Sequence, residues 1–228
     1  MGANPPLEQT NSPSDPPVAF DRLFDWAIGA LLTLVGLLSA LVGGSLYYVV
    51  DRATVADVIA SSEFQSEVLT EAEAVDLLWA LGQWGGLGLV AVGVLSVAVG
   101  VAVVVAHGRA RSEGRPTPRW VLGVAGAIVG TILGFVPLSP ALGGAVAGYL
   151  DPDRSASGLG VGAIAGVFAA LPAFVVALFV GVGLASGLPA GLVPAATAVV
   201  AFGALFALVY LVGLSALGGY LGHRLADN

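Results

Sequence analysis

Few residues in this chain could do chemistry. It has two histidines, His107 and His223, and neither cysteine nor lysine. That excludes a thiolate nucleophile, a disulfide and a Cys-ligated metal, and it excludes a P-loop, which needs a lysine to reach the phosphates. Ser215, in Gly213-Leu-Ser-Ala, resembles half of a serine-protease motif. A nucleophilic serine needs a base within hydrogen-bond reach, and His223 stands about 12 Å further along one helix. Aspartyl hydrolysis inside a membrane needs two facing carboxylates, and the confidently apolar stretches contain none. Gly160-Val-Gly162 with Gly166, and Gly181-Val-Gly183 with Gly187, approach the dinucleotide fingerprint. In both, the third glycine falls one place late, no strand precedes the run and no ribose-binding acid follows about 20 residues on. The expectation is no catalytic residue, no cofactor and no metal site: the protein is not an enzyme.

The composition explains why such residues are scarce. Of 228 residues, 57% are hydrophobic and 10% charged, against about 25% charged in soluble domains. Mean hydropathy is +0.94. Polar surface is insufficient to cover a water-soluble globule, so the expected partner is the lipid bilayer; a second copy or another membrane protein stays open beside it, and nucleic acid is not expected. The formal net charge is −7, and all eight basic residues are arginine. An acidic, lysine-free surface suits surroundings of very high salt, where the Debye length shrinks to about 3 Å at 1 M; an ordinary acidic membrane protein is the plainer alternative.

The charged residues divide the chain into apolar windows at 26–50, 77–106, 120–150 and 155–222. About 20 apolar residues cross a hydrocarbon core of about 30 Å, so each of the first two windows predicts one span. The last predicts two, about 158–185 and 192–222, with a turn near 187–191 where glycine and proline cluster; Pro172 kinks the earlier one without ending it. The third window is ambiguous. As one helix it would be about 46 Å long, and Pro137-Leu-Ser-Pro140 interrupts it. Ser139 and Pro140 read as N-cap and first-turn residue, which favours a hairpin of 120–136 and 140–150; a single crossing remains open. The fold class is an all-α polytopic transmembrane bundle of five or six membrane segments. Residues 1–22 read as a Pro-rich disordered cytoplasmic tail, 23–107 as a two-helix module, 108–119 as an Arg-rich cytoplasmic linker and 120–228 as a glycine-rich membrane domain.

Arg109, Arg111, Arg115 and Arg119 place that linker inside by the positive-inside rule, with the N-terminus inside as well, in a multi-pass protein of the cell membrane. These arginines act as a topology signal or as contacts to anionic lipid. Trp26 and Trp120 fall at the inner ends of their helices, and Tyr47, Tyr48, Trp79 and Trp84 near the outer ends. The segment 51–76 lies outside and is acidic (Asp51, Asp57, Glu63, Glu67, Glu71, Glu73, Asp76). It reads as a hydrated surface or as one for divalent cations or a partner. Thr70-Glu-Ala-Glu73 forms a capping box starting a helix at 71, and Glu63, Glu67 and Glu71 would repel on one helix at low salt.

The strongest pattern is glycine at four-residue steps: Gly126, Gly130 and Gly134; Pro140, Gly144 and Gly148; Gly158, Gly162 and Gly166; Gly218 and Gly222. Such a step stays on one helix face and opens a groove for a neighbouring backbone. The arms 140–150 and 158–171, joined by a short loop, are expected to pack antiparallel. Gly29, Gly36 and Gly43 step by seven and predict a second seam. Intramolecular packing and a homo-oligomer, or a pore lined by small residues, both satisfy this pattern.

The strings Pro137-Leu-Ser-Pro-Ala-Leu-Gly-Gly-Ala-Val-Ala-Gly-Tyr-Leu150, Gly158-Leu-Gly-Val-Gly-Ala-Ile-Ala-Gly166 and Val212-Gly-Leu-Ser-Ala-Leu-Gly-Gly-Tyr-Leu-Gly222 resemble a haloarchaeal family of multi-pass membrane proteins, domain of unknown function 5518, over about 119–222. The resemblance implies a compact bundle in a halophilic archaeal membrane and carries no activity with it. The functional expectation is a non-catalytic structural or interaction protein; the alternative is a small channel or passive transporter formed by glycine-packed helices.

Overall fold

The computed structural model describes residues 18–62, 66–153 and 157–227, with side chains from Trp26 onward. It is all-helical among these residues: α1 Val18–Val49, α2 Arg52–Ser61, α3 Glu71–Ser112, α4 Arg119–Ile132, α5 Ser139–Leu150, α6 Leu159–Gly187 and α7 Val193–Ala226. Helices α1, α3, α6 and α7 are long and apolar enough to cross a membrane. The packing is inverted relative to a soluble domain. Small residues such as Ala74, Ala80, Ala147 and Ala165 are buried, while Leu41, Phe202, Leu205 and Phe206 are exposed. With lipid outside, nothing drives large apolar side chains inward, and small ones let backbones approach.

Helices α1 and α3 are antiparallel along a glycine seam in which Gly29 faces Gly100, Gly36 faces Gly93 and Gly43 faces Gly86. The seven-residue step expected on α1 is matched by the same step on α3, so the contact stays in register from Gly29 to Gly43 on α1 and from Gly100 to Gly86 on α3. Ser39 Oγ donates to Leu89 O at 2.8 Å, and Gln83 Nε2 donates to Tyr47 O and Val50 O at 2.8 and 2.9 Å. Helix α1 begins at Val18, inside the segment expected to be tail; residues 1–17 lie outside the described residues.

Helix α2 was not anticipated. Asp51 caps it, its Oδ1 accepting from Thr54 N–H at 2.7 Å. Val55 and Ile59 pack with Ala74, while Arg52 pairs with Asp76 at 3.1 Å and lies over the Trp79 ring at 4.6 Å. Glu67 falls between α2 and α3, so it does not share a helix with Glu71, and the expected repulsive row does not form; Glu63 lies outside the described residues. The capping box is present: Glu73 N–H donates to Thr70 Oγ1, and Thr70 N–H to Glu73 Oε2 at 2.8 Å. Helix α3 runs on to Ser112, past the expected linker start, and closes at Gly114 (φ 62°), where the Arg115 N–H reaches Ala110 O and the Gly114 N–H reaches Arg111 O. These are the paired bonds of a Schellman stop, which needs a left-handed residue at this position.

The third window is a hairpin. Its first arm ends at Ile132, earlier than the expected 136, and a run of i→i+3 hydrogen bonds turns the chain: Gly134 N–H to Thr131 O, Val136 N–H to Leu133 O and Ser139 N–H to Val136 O. Leu138 takes the left-handed conformation (φ 68°) and is the N-cap, so Ser139 is the first helical residue and not the cap. The arms, 14 and 12 residues long, reach only about 21 and 18 Å. Both hairpin ends lie at one end of the bundle, because Arg119 at the start of α4 pairs with Asp151 at the end of α5 at 3.1 Å. Here this is termed the linker end. It also holds the C-termini of α3 and α7 and the start of α6; the opposite end holds α2 and the 188–192 turn, which falls where the glycine and proline cluster predicts it. Pro172 lies within α6 without ending it.

The Glu73 carboxyl is held below its ordinary 4.5 by the Thr70 backbone N–H and then by the Thr70 hydroxyl. Its contribution to the helix start is full above the ordinary value and is lost as pH falls through the lowered one. Thr70→Ala is expected to move the Glu73 pKa up toward 4.5 in an NMR titration of the side-chain carboxyl; an unchanged value would contradict the capping box.

Candidate functional site

Glycines expected on four-residue faces converge on helix α7. It runs parallel to α5 and antiparallel to α6, and it presents small residues to both. A Cβ placed on Gly218 would collide with the backbone carbonyl of Ala141, and one on Gly222 with that of Ala145. Reciprocally, Gly144 faces Ser215 O and Gly148 faces Gly219 O. On the other flank Gly158 and Gly162 meet Gly219 and Ser215, and Gly166 meets Val212 and Leu211. The Ser215 hydroxyl, buried at 2% exposure, donates to Pro140 O at 2.8 Å and pins the start of α5 to the middle of α7. Helices α5 and α6 also touch through Ala147, Val161 and Ala165. Their glycine rows are filled by α7, which turns Gly218 and Gly222 toward α5 and Gly219 toward α6.

Gly126 and Gly130 hold the hairpin closed. Gly126 faces Gly143 O and Ala147, and Gly130 faces Ser139 O and the Gly143 backbone. Gly134 departs from this pattern: it lies past the end of α4 and meets only the carbonyls of its own turn, so the four-residue step does not extend to it. Gly143 and Gly219 were missed, although each stands beside a selected glycine; the doubled Gly143-Gly144 and Gly218-Gly219 were the available signal, since adjacent glycines bare two helix faces.

At the linker end Arg119 Nη2 also donates to Asp153 at 2.8 Å, and Asp151 is 1% exposed. Arg119 is thus committed to closing the base of the hairpin. Arg115 pairs with Glu113, while Arg109 and Arg111 occupy the last turn of α3, where positive charge complements the helix dipole. The four linker arginines therefore divide between ion pairs and a helix end. His223 is 4% exposed and stands beside Gly158, with Nε2 3.8 Å from Asp227.

Three hydroxyls along the spans turn back on their own helix. Ser96 Oγ donates to Val92 O and Thr131 Oγ1 to Ala127 O, both at 2.8 Å, and Ser186 Oγ donates to Val182 O at 2.9 Å. Among the described residues no group of three or more His, Asp or Glu side chains is placed to hold a metal ion.

Residues 120–225 match a family of unknown function, DUF5518. The match coincides with α4 to α7, the hairpin and the two helices that clamp it, and it leaves the α1–α3 pair outside. The resemblance read from the glycine strings holds over this stretch. No curated protein and no solved structure matches the chain.

In the DUF5518 region, Gly218→Ala and Gly222→Ala are each expected to cost about 1–3 kcal/mol, as overpacking does, because the obstacle is a backbone carbonyl that cannot rotate away. Gly160→Ala and Gly213→Ala meet nothing within 4 Å and are expected to be neutral or stabilising by up to about 1 kcal/mol through helix propensity. Thermal unfolding in detergent checks both, and equal effects at all four positions would refute the assignment.

Proposed function

We propose that this integral membrane protein is a non-catalytic structural or interaction component of a cell membrane. What supports this reading is that the glycine faces around α7 are filled by the chain's own backbone and that Ser39, Gln83, Ser96, Thr131, Ser186 and Ser215 bond to backbone. Transport coupled to ions places carboxylates or histidines within the membrane, whereas among the described residues the buried ionisable groups Asp151 and His223 sit at the linker end.

The orientation proposed has the linker end and the N-terminus in the cytoplasm. Arg109, Arg111, Arg115, Arg119 and Arg224 belong to that end and Arg52 to the other, as the positive-inside rule requires. A cysteine in place of Ser157 is expected to react with an impermeant reagent only after permeabilisation; reaction in intact cells would invert the topology. The acidic, lysine-free composition supports a high-salt habitat, and an archaeal one follows if the family resemblance extends to source.

One observation favours a second reading, a small channel or passive transporter. The hairpin arms, about 21 and 18 Å long, stop short of a hydrocarbon core of about 30 Å, and helix ends within a membrane occur where backbone is buried in protein or lines a water-filled cavity. Vesicles containing the purified protein are expected to be no leakier to ions, glycerol or water than empty ones. Flux that rises with protein content would overturn the structural reading in favour of the channel.

A further inference from the structure

A cavity of about 200 Å³ lies between α1, α3, α4 and α6, at the seam between the N-terminal pair and the DUF5518 region. Its origin is the length of α4. Toward the linker end, α4 sits beside both α3 and α6, and a cluster of Ile28, Val103, Val121, Val124 and Ala125 closes the joint. Toward the other end, α3 and α6 meet directly, with Gly88 against Phe179 and Gly187 against Leu77 and Ala80. The wedge stops at Ile132 before the two helices have closed again, and Pro172 in α6 lines the remaining space.

The cavity has a floor and a mouth. Val124 and Ala127 are buried at 3% and 9% exposure, while Val35 and Ile132 are 48% and 59% exposed and flank an opening toward the outside of the bundle. The mouth lies near mid-depth, because Ile132 is level with Pro172, midway along α6. Ser96 and Thr131 supply the only side-chain hydroxyls of the lining, and both already donate to their own helix. Buried water needs two to four polar partners, and an apolar cavity of about 150 Å³ stays dry and takes up apolar guests.

We propose that this cavity is a binding site for the hydrocarbon chain of a membrane lipid, entering laterally between Val35 and Ile132 with the headgroup left in its leaflet. The bilayer midplane, where the mouth opens, offers chain ends and no headgroups, so the recognised chemistry is a saturated or branched alkyl tail. The chain restores the dispersion contacts that the short α4 leaves unmade, and it joins the α1–α3 pair to the DUF5518 region.

The test uses the full-length protein in phosphatidylglycerol vesicles doped with a phospholipid bearing a diazirine near the end of one chain, with adducts mapped by mass spectrometry after irradiation. Adducts are expected to concentrate on Leu95, Val99, Ile128 and Leu171, above the density on the open faces at Phe202 and Leu205. Ala169→Phe, which fills the cavity, and Val35→Trp, which covers the mouth from an exposed position, are each expected to cut cavity labelling several-fold while labelling at Phe202 and Leu205 stays constant. Val35→Trp decides the matter if Ala169→Phe does not fold. Labelling of the cavity residues no denser than that of the open faces, or unchanged in the folded variants, would overturn the proposal.

Discussion

The structure depends on backbone meeting backbone along helix α7. In water, burying Leu or Phe would draw these helices together; in hydrocarbon that gain is absent, and attraction must come from close contact over many atoms. Such contact requires the missing Cβ atoms of Gly144, Gly148, Gly162, Gly218, Gly219 and Gly222, each of which faces backbone of a neighbouring helix. Because the obstacles are carbonyl groups, no choice of rotamer relieves an added side chain. The rest of the DUF5518 region follows: α5 is held parallel to α7, α6 is held antiparallel to it, and the single hydroxyl of Ser215 sets the register between α5 and α7.

The same constraint shapes the short hairpin. A two-arm insertion must satisfy its turn's peptide groups within the protein. Tight i→i+3 bonds and the left-handed Leu138 do this, while Ile132, Phe135 and Leu138 stay exposed and burial resumes at Ser139 and Pro140, where α5 meets α7. At the hairpin's base the chain reaches aqueous surroundings, and there an ion pair serves: Arg119 grips Asp151 and Asp153 across the two arms. A short wedge between two long helices leaves a void beyond its tip, so the apolar cavity under Pro172 is a geometric consequence of where α4 stops.

Much of this was legible in the residues. The spans, the turn at 188–192, the tolerated Pro172 and the capping box at Thr70 rest on local composition and spacing, which act within one helix or one turn. The hairpin was legible as the favoured alternative, because Pro137 and Pro140 interrupt a run too long for one crossing. Other features escaped for a physical reason. The end of α4 at Ile132 and the left-handed Leu138 depend on where α5 is held, by Gly126 and Gly130 of α4 on one side and by α7 on the other, which no local pattern records. Helix α2 is only ten residues long, and its one local signal, Asp51 as N-cap, is a single acid among the seven of 51–76.

What the sequence determined by itself is the medium and the means: a chain with this little charge lies in a membrane, and glycine at steps of four or seven packs helices by close approach. Which faces meet was decided only in three dimensions. A glycine row states that a backbone can come near, but every row offers the same invitation, and the partner is chosen by which helix carries bare backbone on the matching side. On α1 the partner is the seven-step row of α3. In the DUF5518 region it is α7, whose doubled Gly218-Gly219 presents two faces at once and so takes up α5 and α6 together.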